Sequence, residues 1–485
     1  MKRSFLSNLA FLLFLNFLVK PFWILGIDRT VQNVTGPDQY GLYFSLFNFS
    51  LLFQVLLDFG INNFNNREIA KYPEKLGQTW STMLQSKAIF ALLYAALVLI
   101  VAVLIGFDQT HWRILGWMIL MQVMLSFFTY LRSNVSALHL FRHDAVLSVS
   151  DKLFAGTLCA LLFWTKVLPW EITVKNFIIC QILGYSLASV LAILMLLGRR
   201  IHWKWTTDLQ LIRQVIRKSA PFALLTFLMA AYYRIDGVMI ERMLGAEGAH
   251  QAGVYASAFR LLDALSIIGY MFAAILLPMF SRMQEEGSNV QPLLETGLRL
   301  MACISVPAGT TFIFFRQEIM QALYADATNQ YGQIFGWLMA GFVLISLVYI
   351  LGTMLTALGS LRILNRIAAA GLVVNVALNL LLIPTQQAVG AAIATVCTQT
   401  IVLILHLAAV YSRTDITFHQ GMWLRLAGLT AACVVICPGV LWLNLPWAIA
   451  MGLCLLLGAC LALLLGLVKR HDWKPLLHEA AEPAT

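Results

Sequence analysis

The chain has 485 residues, 60% of them hydrophobic and 12% charged, with a formal net charge of +10 and a mean hydropathy of +0.79. Soluble domains carry about a quarter charged residues, so an ordinary water-soluble globule is excluded. So is a β-barrel with its short alternating strands, because apolar runs of roughly 20 residues recur, each able to cross about 30 Å of hydrocarbon as a helix. With no basic soluble domain, the positive balance excludes a nucleic-acid binder and reads as topology signal plus attraction to anionic lipid.

In chain order, "MKRSFLSNLAFLLFLNFLVKPFW" has the basic start and apolar core of a secretion signal but no small-residue cleavage site. It reads as an uncleaved first span at 6–27. Further spans are expected at 41–63, 83–105, 114–134, 147–166, 174–197, 221–243, 253–280, 294–315, 333–358, 363–384, 388–411, 424–443 and 447–468, fourteen in all. The two long connections leave room for a further short helix. One of these, 198–220, mixes Trp203, Trp205, Leu209, Ile212 and Ile216 with Arg199, Arg200, Lys204, Arg213, Arg217 and Lys218. That pattern suits an amphipathic helix in the inner headgroup layer. Lys2, Arg3, Arg67, Lys71, Lys75, Arg142, the 198–220 cations, Arg282, Arg362, Arg413, Lys469, Arg470 and Lys474 fall in alternate connections. Only Arg113, Lys166 and Arg316 fall in the others. Positive charge stays on the cytoplasmic side, so both termini are expected there. The eight Cys lie in apolar runs without CxxC spacing, which points to free thiols with no disulfide frame or metal site.

The two halves resemble each other. "GLYFSLF" (Gly41–Phe47) and "GVYASAF" (Gly253–Phe259) agree at Gly, Tyr, Ser and Phe, and each opens a second span. The expected architecture is an all-α polytopic membrane protein. It has a six-helix lobe at 1–197, a cytoplasmic linker at 198–220, a second six-helix lobe at 221–411, and two additional helices with a cytoplasmic tail at 412–485. An even number of spans per copy makes the repeat parallel, with an axis along the membrane normal; such lobes normally enclose a cavity and rock to alternate access.

Charges inside hydrocarbon are costly and usually face a cavity or a partner. At 1.5 Å per residue, Lys20 and Arg234 lie about 20 Å from the inner face and Arg260 about 10 Å below the outer face. The three cations share a level suited to a phosphate or pyrophosphate. Local pairing is the competing account, because Arg260 and Asp263 are i,i+3 and Asp236 adjoins Arg234. Pro21, next to Lys20, predicts a kink. Asp58 falls about 26 Å from the outer face, level with Lys87, Arg132, Asp151 and Lys152. These form either a charged inner vestibule that serves coupling or a helix-end salt-bridge cluster. Asn62, Asn63, Asn65 and Asn66 are expected at headgroup level, Asn375 and Asn379 as helix glue, and Gly390 with Ala394 as a close-packing pair.

The stretch "VTGPDQYGLYFSLFNFSLLFQVLLDFGINNFNNREIAK" resembles the opening signature of polysaccharide-exporter flippases, through Gly36, Tyr40, Gly41, Asp58, Gly60, Arg67 and Ala70. "GVYASAFRLLDAL", "LLPMFSRM" and "TALGSLRILNRIAAAGLVVNVALNLLLIPTQQAVGAAIAT" extend the likeness over most of the chain. The family is the O-antigen and capsule (Wzx-type) branch of the multidrug/oligosaccharidyl-lipid/polysaccharide exporter superfamily. The resemblance implies a bacterial inner-membrane protein that moves undecaprenyl-pyrophosphate-linked oligosaccharide between leaflets. Its partners would be the lipid-linked oligosaccharide, membrane lipids and the polysaccharide polymerase machinery. No G-x-x-x-x-G-K phosphate loop is present, so no cofactor is expected and an H+ or Na+ gradient is the expected drive. Asp58 has Tyr270 as its counterpart in the second copy, so charge roles do not transfer between lobes. A multidrug extrusion antiporter and a peptidoglycan-precursor flippase are the alternatives. The short outer connections offer no carboxylate cluster for an enzyme.

Overall fold

The computed structural model describes residues 11, 14–16, 18–72, 76–165, 171–197, 209–414 and 420–467, and among them every regular element is helical. Lys2, Arg3, Lys75, Lys166, Arg199, Arg200, Lys204, Lys469, Arg470, Lys474 and the 198–208 part of the expected linker lie outside the described residues. The chain divides into two units, Met1–Glu241 and Arg242–Thr485.

The first unit begins with the helix that carries Pro21. Proline has no N–H to return to the preceding turn, and the helix widens there into a π-helix over Phe22–Asp28, whose end is marked by an Arg29 N–H to Ile24 O bond. It runs on into α1 (Arg29–Leu52), which breaks at Gly36 (φ 75, ψ 169). Only glycine adopts that backbone cheaply, and Pro37 then opens the next helix where a missing N–H costs nothing. The first helix therefore reaches residue 35 and the second starts at 37, correcting the expected limits of 27 and 41. The second span is also not one helix. Backbone breaks at Phe53 and at Phe59–Gly60 (φ 41 and 79) cut out α2 (Val55–Asp58) and α3 (Ile61–Lys71). Then come α4 (Leu76–Ile105), α5 (Gln109–Ala137), α6 (Phe141–Trp164) and α7 (Val174–Leu197), with α5, α6 and α7 packed on one another. Finally α8 (Leu209–Met243) runs unbroken through the region assigned to the linker and the seventh span. Arg213 and Arg217 are exposed while Ile212 and Ile216 are half-buried, so the amphipathic pattern holds. It belongs to a helix already bonded into the span, however, which spares the backbone a second pair of unsatisfied ends. The unit boundary falls at 241, because the far end of α8 packs within the first unit: a Cβ on Gly237 would collide with Phe44 and Asn48 of α1.

The second unit comprises α9 (Gly248–Glu285), α10 (Gln291–Phe314), α11 (Arg316–Leu323), α12 (Asn329–Ala357), α13 (Leu361–Arg413), α14 (Gln420–Leu441) and α15 (Trp447–Leu464). The helix α11 is the short element for which a long connection had room. The hub is α12, which packs on α9, α10 and α13. The chain reverses inside α13 at Gln387 (φ 54, ψ −137), just after Pro384, so this element is two spans. A Cβ at Gly390 would strike the Leu382 carbonyl across that reversal, which explains the glycine. The two additional helices, α14 and α15, lean on α10, where Gly458 meets Pro307 and Thr311 meets the Cys437 sulfur.

Eleven helices among the described residues are long and apolar enough to cross a membrane, with α13 counted once. Leu92 on α4 is 72% exposed and Leu464 on α15 is 83% exposed. Apolar faces of this kind require hydrocarbon rather than water around them. The repeat also appears in side-chain bonding. In the first unit Gln181 on α7 donates to Tyr43 Oη at 3.2 Å; in the second, Tyr255 Oη pairs with Thr395 Oγ1 at 3.4 Å. Each tyrosine belongs to its copy of the Gly-x-Tyr motif, and each partner lies on the sixth span of its own copy.

Candidate functional site

The interior of the first unit carries charged and polar groups along its whole length. Toward the α5–α6 connection, Arg132 Nε bonds Asp144 Oδ1 at 2.7 Å and Arg132 Nη2 bonds Asp144 Oδ2 at 3.3 Å. His139 in the left-handed region (φ 57) makes the reversal between α5 and α6 tight enough to bring the two together. Nearby, Lys87 Nζ donates to Asp58 at 2.9 Å, to Ser126 Oγ at 3.0 Å and to the Leu57 carbonyl at 3.1 Å. The five charges expected at one level thus separate into pairs. Asp58 takes Lys87, Arg132 takes Asp144, and Asp151 lies 3.8 Å from Lys152. Two of the asparagines that follow Asp58 bond to α5. Asn65 is buried and donates to Ser133 and Asn134 at 3.1 and 2.9 Å, and Asn62 donates to Thr129 at 3.4 Å, because the break at Gly60 turns α3 onto α5.

About 10 Å farther along α6 from Asp144, by helical rise, lies the middle of this polar column. Lys152 donates to Tyr185 Oη at 3.2 Å and stands 4.7 Å from the Trp23 ring and 5.3 Å from the Tyr185 ring. The π-helix places Trp23, which stacks on Phe177 at 5.7 Å. Lys20 lies within electrostatic range of Asp151, Arg132 and Lys152. A turn or two beyond, Asp28 is buried and accepts from Tyr40 Oη at 2.9 Å and from Gln32 Nε2 at 3.3 Å. The bond from Tyr40 spans the break at Gly36 and holds the first two helices together.

Close backbone approach sets this geometry. A Cβ on Gly184 would fall 2.7 Å from Ala155 Cβ and 2.8 Å from the Asp151 carbonyl. Gly184→Val is expected to push α7 off α6, at a cost of about 1–3 kcal/mol, and to separate Tyr185 from Lys152. A thermal-unfolding midpoint equal to wild type would contradict this packing.

At the opposite end, Asp108 caps α5 through Thr110 N (2.8 Å) and His111 N (3.1 Å). The His111 ring lies 2.7 Å from Asp108 through Nδ1 and 2.9 Å from Glu241 through Nε2. Ser45 Oγ is 3.5 Å from Glu241. Bonding to His111 holds the Asp108 carboxyl down at about 2.

The remaining expected residues fall as follows. Arg234 is half-buried on α8, its guanidinium 5.2 Å from the Tyr233 ring, and Asp236 is buried two residues on. Arg260 and Asp263 are half-buried on α9 of the second unit. All four already have interacting partners. Asn379 donates to Asn375 at 3.1 Å along one buried face of α13. Sequence reasoning passed over Asp28, Trp23, Tyr185, His111 and Glu241. The available signals were an Asp-x-x-His step at a helix start and a glutamate at a span end.

Residues 5–284, more than half of the chain, match the family model described as "Polysaccharide biosynthesis protein". A relative from Haloferax volcanii, described as "Probable low-salt glycan biosynthesis flippase Agl15", is 24% identical over 187 residues, 38% of this chain. The match spans only 40% of that relative's length. Among solved structures, "Lipid II flippase MurJ, inward closed conformation" superposes with a TM-score of 0.68 at 13% identity, covering 94% of this chain and 97% of that one. An inward-facing multidrug resistance MATE family transporter of the MOP superfamily gives 0.63 at 14% identity, covering 83% and 96%. At these identities the structural likeness speaks for the fold.

Proposed function

The chain belongs to the family of polysaccharide biosynthesis proteins, and from that premise we propose that it is a secondary transporter for lipid-linked glycans. It is a multi-pass helical membrane protein with a fold shared by MurJ and MATE transporters. The cargo in this reading is an undecaprenyl-pyrophosphate-linked oligosaccharide repeat unit, flipped across the bacterial inner membrane for surface polysaccharide by ion-coupled alternating access. The observation that carries it is the polar column of the first unit. Charges this deep in hydrocarbon are costly unless they serve a polar passenger or a partner, and the column offers cations and aromatic rings to a sugar and its anionic linker.

Lys20, Arg234 and Arg260 are assigned to the pyrophosphate, each exchanging a resident partner for a phosphate oxygen as the cargo passes. Asp58, Lys87, Arg132, Asp151, Asp236 and Asp263 are assigned to the vestibule and to coupling. The drive is H+ or Na+, with no further cofactor, and both termini face the cytoplasm. The protein acts as a transporter rather than an enzyme, alongside the polymerase machinery.

Arg234→Ala and Arg260→Ala are each expected to cut surface glycan roughly tenfold or more, the worth of one charge-assisted contact, while lipid-linked intermediate accumulates. Membrane content of the variants is measured in parallel. Normal glycan from both variants removes these residues from the path, and normal glycan from a strain lacking the protein removes the reading itself.

A further inference from the structure

The bridge at the Asp108 end of the first unit is separate from the residues assigned to the cargo, and its chemistry is that of a switch. His111 is buried between two carboxylates, Asp108 on the preceding connection and Glu241 near the end of α8. A neutral imidazole has one N–H and one bare nitrogen, so it donates to only one of them; the imidazolium donates to both. Distances of 2.7 and 2.9 Å to two carboxylates are those that a doubly protonated ring would satisfy with two charge-assisted bonds. Glu241 has a second support, Ser45 of α1, at the longer distance of 3.5 Å.

We propose that Asp108, His111 and Glu241 form a proton-operated latch that fastens the end of α8 to α5 and α1, and that loss of the His111 proton releases it. The groups facing the ring are few. Asp108 comes from the connection, Glu241 from α8, and from the same connection the Phe107 ring, which stacks at 4.7 Å and carries no charge. From α1 the group present is the Ser45 hydroxyl, which reaches Glu241. Further charges at this end are Arg242, half-buried next to Glu241 on α8 with a partner of its own, Arg113, which is exposed, and Lys175 of α7, 5.6 Å from the Trp117 ring. Asp108 caps α5 and stays ionised down to about pH 2, and the latch places the proton change on the His111 ring. When it loses a proton, either Asp108 or Glu241 loses its donor. Asp108 keeps two backbone N–H groups, so Glu241 is the partner left with the weaker support.

The second unit supplies a built-in contrast. At the starts of α9 and α12, Gln330 Nε2 donates to Gln251 Oε1 at 2.7 Å, and Gln251 Oε1 also accepts from Ala388 N at 3.4 Å. Amides join the elements there, and amides do not titrate in this range. The titratable version occurs where the chain is about to leave the first unit.

The test uses the full chain in lipid nanodiscs. Solid-state nitrogen NMR of histidine-labelled protein identifies the His111 signal by its loss in His111→Gln. Hydrogen exchange of the peptide covering 236–244, corrected for intrinsic rate, is followed from pH 5 to pH 9. In wild type the doubly protonated signal and the slow exchange are expected to disappear together as pH rises, with exchange increasing roughly tenfold. His111→Gln and Glu241→Gln are expected to exchange fast at every pH, and Glu241→Gln alone suffices where His111→Gln fails to fold. A His111 signal that is singly protonated at pH 5, or exchange that follows the same pH course in wild type and Glu241→Gln, overturns the latch. Surface-glycan assays read the transport proposal separately, so either can fail while the other stands.

Discussion

Replacing Lys87 by alanine is expected to cost about 3 kcal/mol, the low end for breaking a buried ion pair, and to lower the apparent unfolding midpoint by roughly 5–10 °C. The low end applies because Asp58 is about one-third exposed while Lys87 is only 1% exposed. Lys87 does more than neutralise Asp58. The second span breaks at Phe59–Gly60, which releases the Leu57 carbonyl from helical bonding, and a carbonyl in hydrocarbon needs a donor. Lys87 and Ser126 both donate to it, at 3.1 and 3.0 Å. All three ammonium hydrogens are thus used, on a carboxylate, a hydroxyl and a backbone oxygen. The broken span is in this sense capped by a side chain from α4. Lys87→Met alone keeps the volume but strands Asp58. Lys87→Met with Asp58→Asn removes both charges and is expected to recover more than half of the loss. A wild-type midpoint for Lys87→Ala, or a double variant no better than the single, contradicts the capping role.

The limits of the sequence reading have one physical origin. Hydropathy reports depth, and depth was enough to find most of the spans, while the motif match found the repeat, whose Tyr43 and Tyr255 each bond a residue on the sixth span of their own copy. Partner choice depends on azimuth, which turns by about 100° per residue and shifts wherever the helix is not ideal. Asp58, Lys87, Arg132 and Asp151 share a level, yet Arg132 faces Asp144 across the tight α5–α6 reversal and Asp151 faces Lys152 along its own helix. The π-helix after Pro21 is a sharper case. A proline was legible as a kink, but not that seven widened residues would turn Trp23 toward Lys152 and Asp28 toward Tyr40. The Gly36 break was likewise hidden, because apolar content alone put the span limits at 27 and 41. His111 was passed over because its two partners are one local and one far along the chain, and only packing of α8 against α1 joins them.

Lys152→Met is expected to reduce surface glycan by roughly tenfold or more while leaving the amount of folded protein near wild type. The arrangement around Lys152 separates the two effects. A fully locked structural cation would be enclosed like Lys87, but about a quarter of the Lys152 side chain is accessible. Its neighbours are two aromatic rings, one phenol hydroxyl and, at 3.8 Å, the Asp151 carboxylate. Cation–aromatic contacts of this kind contribute about 2 kcal/mol when desolvated, and they leave an ammonium able to meet an anion from its open side. Asp151 retains Lys20 nearby when Lys152 is neutral, so the loss leaves no isolated buried carboxylate and the folding cost is modest. Lys152→Arg keeps the charge and an aromatic partner, and is expected to hold export within about threefold of wild type, since guanidinium also stacks on aromatic faces. Trp23→Leu removes the stronger of the two rings and is expected to fall between. If all three variants display normal glycan at normal protein levels, the middle of the column lies off the route of the cargo. If Lys152→Met instead unfolds as readily as Lys87→Ala, the cation is part of the scaffold and the passage must run along other residues.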